Sequence, residues 1–380
     1  METHSTHAAA SPANGGESAE DGIARVIAPG GGVDPATDPN LDLEFVVRLY
    51  KAMVRTRIVD ERATALQRQG RIGFHIGSLG EEAAVIGSVA ALRAQDWVFP
   101  CYREWGAALW RGLSLQTYMD NLFGNADDVA QGRQMPDHIT GRAVNFGSVT
   151  SPIGTQISQA VGFAYAAKYR GQDLVTAVYF GEGATSSNDF HCGMNFAGVL
   201  RAPALFLLRN NGWAISVPAS KQTAAITFAD KGRGYGVPAL RCDGNDALAV
   251  YATVRAAVEH AAAGRGPMFV EMLTYRMGAH STSDDPRAYR AQSEVEEQKK
   301  RDPIQRLRAY LEARGQWSEQ QQQQHADEVA AEFKRCLGRA EAAGKPEPSS
   351  MFHGVYASQP PHLKEQELQC LGGPRAKTGH

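Results

Sequence analysis

A chain of 380 residues with 39 Lys plus Arg against 41 Asp plus Glu carries a formal net charge of −2, so its charge gives no reason to expect nucleic acid or an anionic membrane as a partner. No apolar run approaches the roughly 20 residues that a membrane helix needs. The five cysteines, at 101, 192, 242, 336 and 370, form no CxxC pair and read as reduced thiols of a cytosolic-type protein rather than a disulfide frame or a zinc site.

Residues 1–40 are built largely of Ala, Gly, Ser and Pro and read as a disordered tail. The tail lacks the apolar stretch of a signal peptide. It carries Glu2, Glu17, Glu20 and Asp21 against one Arg, Arg25, where a mitochondrial presequence is Arg-rich and poor in acids. Cytoplasmic residence is the resulting expectation. The remainder divides into an α/β domain over 41–300 and a helical extension with a tail over 301–380.

From Asp42 to Gln69, Phe45, Val46, Leu49, Tyr50, Met53 and Val54 recur at helical spacing, and Gly70 is a plausible stop. A Gly-rich loop carrying Phe74 and His75 leads through Gly80-Glu81-Glu82 into a second helix ending near Leu92. Trp97 to Pro100 reads as a short strand, with Tyr102-Arg103-Glu104 behind it. A lone Arg there is by default a surface ion pair. His138, in the polar loop Gly132 to His138, reads by itself as a solvated histidine. Thr150 to Gln156 precedes a helix over about 155–170, and Ser or Thr in such a place is usually a cap.

The stretch from Val175 to Pro218 organises the chain. An apolar strand, Val175 to Phe180, ends in Gly181-Glu182-Gly183-Ala184. A helix runs from about Asn188 to Leu200. A second apolar strand, Ala204 to Leu208, ends in Arg209-Asn210-Asn211-Gly212. This is a βαβ unit, and in open α/β sheets ligands sit beyond the carboxyl ends of the strands. Glu182 and Asn211 therefore face one crevice. A carboxylate, an amide oxygen and the Trp213 carbonyl, turned in at Gly212, suit magnesium, which fills its remaining positions with water and phosphate. Gly181 and Gly183 admit phosphates close to the backbone, and Arg209 can neutralise them. Further on, a strand over Leu240 to Asn245, a helix capped by Asn245 or Asp246 and a strand over Pro267 to Leu273 lead to a polar loop, Gly278 to Asp285. The loop holds His280 and has no apolar anchor after Met277, which predicts mobility until a ligand orders it. Ser318 and Gln321 fit a capping box.

Gly181-Glu182-Gly183 followed by Asn210-Asn211 resembles the thiamine diphosphate motif, with Glu182 where Asp is usual. The wider wording, GEGATSSNDFHCGMNFAGVL and RNNGWAIS, resembles the alpha subunit of the E1 component of 2-oxo acid dehydrogenase complexes from about Leu41 to Pro360. GRQMP and HSTSDD are most like its branched-chain form. The resemblance implies a doubly wound, mainly parallel α/β sheet flanked by helices, in the manner of the transketolase-like diphosphate module. It also implies oxidative decarboxylation of small branched-chain 2-oxo acids with thiamine diphosphate and Mg²⁺. Tyr102, Arg103, Ser151, Ile153, Gly181, Glu182, Gly183, Ala184, Arg209, Asn211, Trp213 and His280 would meet the cofactor, with His280 also catalytic. Glu182, Asn211 and the Trp213 carbonyl would hold Mg²⁺. Thr150, Pro152, Thr155 and Gln156 would hold a structural K⁺, and Ser281 matches a regulatory phosphorylation site of animal relatives. The chain has no second α/β module to supply the glutamate that activates the cofactor. A beta subunit, in a heterotetramer of two alpha and two beta chains, is therefore expected, with a lipoylated E2 acyltransferase receiving the acyl group. The alternatives are a pyruvate or acetoin type of the same subunit and, more remotely, a non-catalytic structural homologue.

Overall fold

The long apolar periodicity after residue 42 becomes α1 (Leu43–Arg68), capped by Asp42, which accepts from the Glu44 N–H. In this computed structural model, which describes residues 22–29 and 31–374, there follow α2 (Glu82–Ala90), β1 (Trp97–Phe99), α3 (Trp105–Trp110), α4 (Leu115–Phe123) and α5 (Thr155–Tyr169). The organising unit is β2 (Thr176–Gly181), α6 (Asn188–Leu200) and β3 (Ala204–Asn210), with Ser187 capping α6 at the Phe190 N–H. A small ribbon of β4 (Trp213–Ala214) and β5 (Val217–Pro218) precedes α7 (Asp230–Arg233), β6 (Ala239–Asp243), α8 (Ala247–Ala262) and β7 (Met268–Leu273). Helices α9 (Gln292–Lys299), α10 (Pro303–Glu312), α11 (Glu319–Ala342) and α12 (Pro361–Gly372) close the described chain.

Five strands form one parallel sheet in the order β1-β2-β3-β7-β6. Both faces are covered, which is why β2 and β3 are nearly continuous apolar runs rather than alternating ones. Along β2, Ala177 and Tyr179 point to the face carrying α2 and α8, while Val178 and Phe180 point to the face carrying α5 and α6. The period-two alternation of strand side chains thus fills two cores from one strand. The doubly wound α/β class expected from the sequence is the observed one.

Two segments differ from expectation. Residues 1–21 lie outside the described residues, but the part of the tail from residue 22 is built into the fold. Ala24 bridges Cys242 on the edge strand β6, and the Val26 and Ile27 N–H groups donate to Asp246 at 2.7 and 2.5 Å. Val26 and Ile27 are buried, so a short apolar pair covers the sheet edge where low overall hydrophobicity suggested disorder. At the other end, Leu307, Tyr310 and Leu311 of α10 and Val329 and Phe333 of α11 share one core with Val46, Leu49, Tyr50 and Met53 of α1. The residues after 300 therefore complete the core of the α/β domain.

Candidate functional site

The register pairs Gly181 of β2 with Arg209 of β3, so Glu182 and Asn211 emerge side by side beyond the carboxyl ends of neighbouring strands. The Asn211 N–H donates to Glu182 Oε2 at 3.4 Å. Asn211 Oδ1 accepts from the Trp213 N–H at 3.1 Å, an Asx turn that Gly212 completes with φ +84°. Glu182 is 1% exposed, and burial holds its carboxyl above the ordinary value. One carboxylate and one amide oxygen thus lie at a single turn, which the Trp213 carbonyl follows. The carbonyl is met by Arg276 Nη1 at 3.2 Å. The two glycines divide their work. A side chain at Gly181 would enter open space, whereas one at Gly183 would come within 2.8 Å of the Ala214 Cβ. Gly183 is therefore required by packing against β4.

Arg209, 2% exposed, pairs with two buried carboxylates, Glu81 and Glu104 (2.5 Å to the latter). Glu81 also accepts from Asn211 Nδ2 at 2.9 Å and lies 3.8 Å from Arg103. Burial pushes the Glu81 carboxyl up, but Arg209, Arg103 and Asn211 outweigh it and hold it below the usual range. Glu104 has fewer cations, and burial keeps it raised. Arg103, buried rather than on the surface, donates to the Gly77 carbonyl and to both the carbonyl (2.8 Å) and Nδ1 (3.0 Å) of His280. The Tyr102 ring meets the His280 ring edge-on, 5.7 Å between centroids.

Burial, Arg103 and Arg276 together lower His280 to about 4. With a guanidinium donor at Nδ1, the neutral ring carries its proton on Nε2. A diphosphate oxygen would offset those cations and move the imidazole back toward protonation. The His280 loop is tied more firmly than its apolar content implies. Asp284 accepts from the His280 N–H at 2.7 Å and from the Tyr289 hydroxyl at 2.6 Å, and Arg290 donates to the carbonyls of Arg276, Met277 and Gly278. Polar ties supply the order here.

The Thr150–Gln156 segment lies against the same region, because Gly154, at φ +94°, packs directly on Ser187 at the end of the Glu182 turn. Ile153 is 45% exposed, and Ser151 and Pro152 are also open to solvent. Thr150 Oγ1 and Gln156 Oε1 are buried oxygens without a hydrogen-bond partner, while Gln156 Nε2 donates to the Tyr179 carbonyl at 2.9 Å. Two orphaned oxygens of this kind suit a weakly held monovalent cation. His138 is buried rather than solvated. Its Nδ1 lies 3.1 Å from the Pro136 carbonyl and its Nε2 lies 2.8 Å from Ser151 Oγ.

Sequence reasoning missed Glu81, Glu104, Arg276, Gln222 (whose Nε2 reaches Glu182 Oε1 at 3.4 Å) and the partners of His75. One signal was available. Ala83 to Val89 carries no polar face, so α2 must be buried all round, and acids at its start must be buried with it.

The family described as dehydrogenase E1 component has a sequence model that matches residues 50–349. The chain is 44% identical to 2-oxoisovalerate dehydrogenase subunit alpha 2, mitochondrial, of Arabidopsis thaliana, over 86% of this chain and 69% of that one. It is 43% identical to the corresponding alpha subunit of Homo sapiens, over 88% and 76%, and 42% identical to that of Caenorhabditis elegans, over 88% and 78%. All three are named mitochondrial proteins. They overturn the expectation of cytoplasmic residence. That expectation rested on the acids of a tail whose composition does not encode a compartment. Among the described residues no helix is long and apolar enough to cross a membrane.

Proposed function

The chain belongs to the dehydrogenase E1 component family, and from that membership we infer that it is the E1 alpha subunit of a branched-chain 2-oxo acid dehydrogenase, an oxidoreductase that works with a beta subunit and passes its acyl product to a lipoylated E2 acyltransferase. The family implies dependence on thiamine diphosphate, which when bound supplies the electron sink that lets a 2-oxo acid lose carbon dioxide. The observation that carries the reading is the meeting of Glu182 and Asn211 beyond β2 and β3, walled by Arg103, Arg209 and Arg276.

In this reading Glu182, Asn211 and the Trp213 carbonyl hold Mg²⁺. Gly181, Gly183 and Ala184 line the diphosphate, and Tyr102, Arg103, Arg209 and His280 face it. Glu81 and Glu104 keep the guanidiniums fixed, so that the charge meeting the phosphates is placed before they arrive. Ser151, oriented by His138, and the Ile153 backbone take the aminopyrimidine end. The exposure of that segment supports a site finished by another chain. Thr150, Pro152, Thr155 and Gln156 hold K⁺, supported by the two orphaned oxygens. His280 would present its Nε2–H as a hydrogen-bond donor to the acyl acceptor.

Two outcomes test this. Purified alone, the chain is expected to show no decarboxylation of 2-oxo acids. Assembled with its beta subunit it should turn over 3-methyl-2-oxobutanoate with higher kcat/KM than pyruvate. Robust turnover by the lone chain would contradict the two-subunit site, and preference for pyruvate would move the chain to the pyruvate type. Ser281→Glu should lower turnover by at least about tenfold. It places a carboxylate beside Asp284, and like charges in a half-buried loop disfavour its closed arrangement. Turnover and protease nicking of the loop, with and without cofactor, are the readouts. If both match the parent enzyme, the coupling fails.

A further inference from the structure

His75 is fully buried between two buried aspartates, with Nε2 2.9 Å from Asp60 Oδ1 and Nδ1 3.2 Å from Asp137 Oδ1. Each aspartate spends its second oxygen on the same loop. Asp60 Oδ2 accepts the Ser78 N–H and Asp137 Oδ2 the Ile76 N–H, both at 2.7 Å. The Tyr118 hydroxyl adds a third bond to Asp137, at 2.6 Å. A ring with a carboxylate at both nitrogens donates from both. Burial opposes its charge, but Asp137 and Asp60 outweigh burial and push the imidazole up to about 10. The fit around the clamp is close, since a Cβ on Gly77 would stand 2.5 Å from Asp60 Oδ1.

The clamped loop reaches His280 by two routes. The His75 N–H donates to Thr282 Oγ1 and the Thr282 N–H donates to the His75 carbonyl, both at 3.0 Å. By the second route the Gly77 carbonyl accepts from Arg103, whose other nitrogen holds the His280 carbonyl and Nδ1. Thr282 is two residues from His280, so the His280 carbonyl and the backbone just after it are set from residues 75–77.

We propose that His75 is a positioning residue for His280: its doubly donating ring fixes the 75–78 loop between Asp60 and Asp137, and the loop, through Thr282 and Arg103, sets where the His280 ring stands. This rests on the reading of His280 as the catalytic group. Among the described residues the hydrogen bonds of His75 go to Asp60, Asp137 and Thr282, none of them assigned to cofactor or metal, and its effect is geometric.

The test uses the assembled enzyme with 3-methyl-2-oxobutanoate and a lipoylated E2 domain. Thr282→Val removes the acceptor of the His75 N–H and nothing else of the clamp. It should lower kcat about fivefold, the worth of one hydrogen bond. KM and thiamine diphosphate affinity should stay within about twofold, and the melting temperature should fall by no more than a few degrees. Thr282→Ser should restore kcat. His75→Gln, which keeps one donor, should cost at least about tenfold, and the double variant should be no slower than His75→Gln alone, because the Thr282 bond is one of the two routes through which the His75 clamp acts. Parent kcat in Thr282→Val, failure of Ser to rescue, or additive losses would each overturn the proposal. Should His75→Gln fail to fold, Thr282→Val and its rescue decide. His280→Ala separates the two readings. Full activity in that variant overturns the assignment of His280, whereas lost activity there with an unaffected Thr282→Val overturns the positioning role alone.

Discussion

Glu182→Ala in the assembled enzyme is expected to lose magnesium-dependent binding of thiamine diphosphate, and turnover should fall by at least about a thousandfold, the equivalent of the several kcal/mol a bound metal contributes. Glu182 is the one anionic member of the candidate ligand set. Asn211 Oδ1 and the Trp213 carbonyl are neutral and already accept from the Trp213 N–H and Arg276. Without the carboxylate the protein would offer only two neutral oxygens and leave the divalent charge to the diphosphate alone, whereas Mg²⁺ is ordinarily held by one or two carboxylates together with phosphate. Stability should move the other way. The Glu182 carboxyl is buried with weak neutral donors, the Gln222 amide and the Asn211 N–H, both at 3.4 Å, and burial raises it above the ordinary range. Removing such a group relieves a desolvation cost, so without cofactor, which would stabilise the parent alone, the variant should melt at or above the parent temperature. Near-parent cofactor affinity would sink the ligand assignment. A melting point lowered by many degrees would recast Glu182 as structural.

What the sequence disclosed and what it hid follow from one distinction. The β2–α6–β3 unit was legible because its signals are local. Two apolar runs, a helix-length interval and polar residues after each strand need only a parallel sheet to converge, and α6 spans Asn188–Leu200 where the pattern put it. The Asp246 and Ser318 caps were legible for the same reason. The supporting charges were not. Arg209 and Glu81 are separated by 128 positions, and nothing local to either announces the other. His138 looked like a solvated loop residue and His75 like part of a Gly-rich loop, since the partners that bury them, Asp60, Asp137 and Ser151, come from other elements. The segment from residue 22 was misread because composition averages over a window. Two apolar side chains, Val26 and Ile27, and one buried acceptor on Asp246 suffice to pin it.

Arg209→Ala carries the largest expected loss of stability. Arg209 stands between Glu81 and Glu104, and all three are buried. Its removal leaves two buried carboxylates, with Arg103 3.8 Å from one of them as the nearest remaining cation. Breaking a buried pair by deleting one partner costs about 3–5 kcal/mol. The pH dependence follows in sign. In the parent, Arg209 and Arg103 hold Glu81 below its unfolded value against burial, so this group stabilises the fold above the unfolded carboxylate range, and that contribution is lost as pH falls through the folded value. In the variant, burial goes unopposed by Arg209 and raises both carboxyls, so each resists ionisation in the folded state. The deficit of the variant relative to the parent should therefore be large at pH 8 and shrink toward pH 5, where protonation relieves it. Arg209→Lys should fall between, because a single ammonium cannot serve two carboxylates with the geometry of a guanidinium fork. Adding Glu104→Gln to Arg209→Ala should recover part of the loss, by replacing one stranded charge with a neutral amide. Urea unfolding of the assembled enzyme at the two pH values is the measurement. A deficit below about 1 kcal/mol, or one that does not change with pH, would mean that the pairs are solvated and that Arg209 acts on phosphate alone.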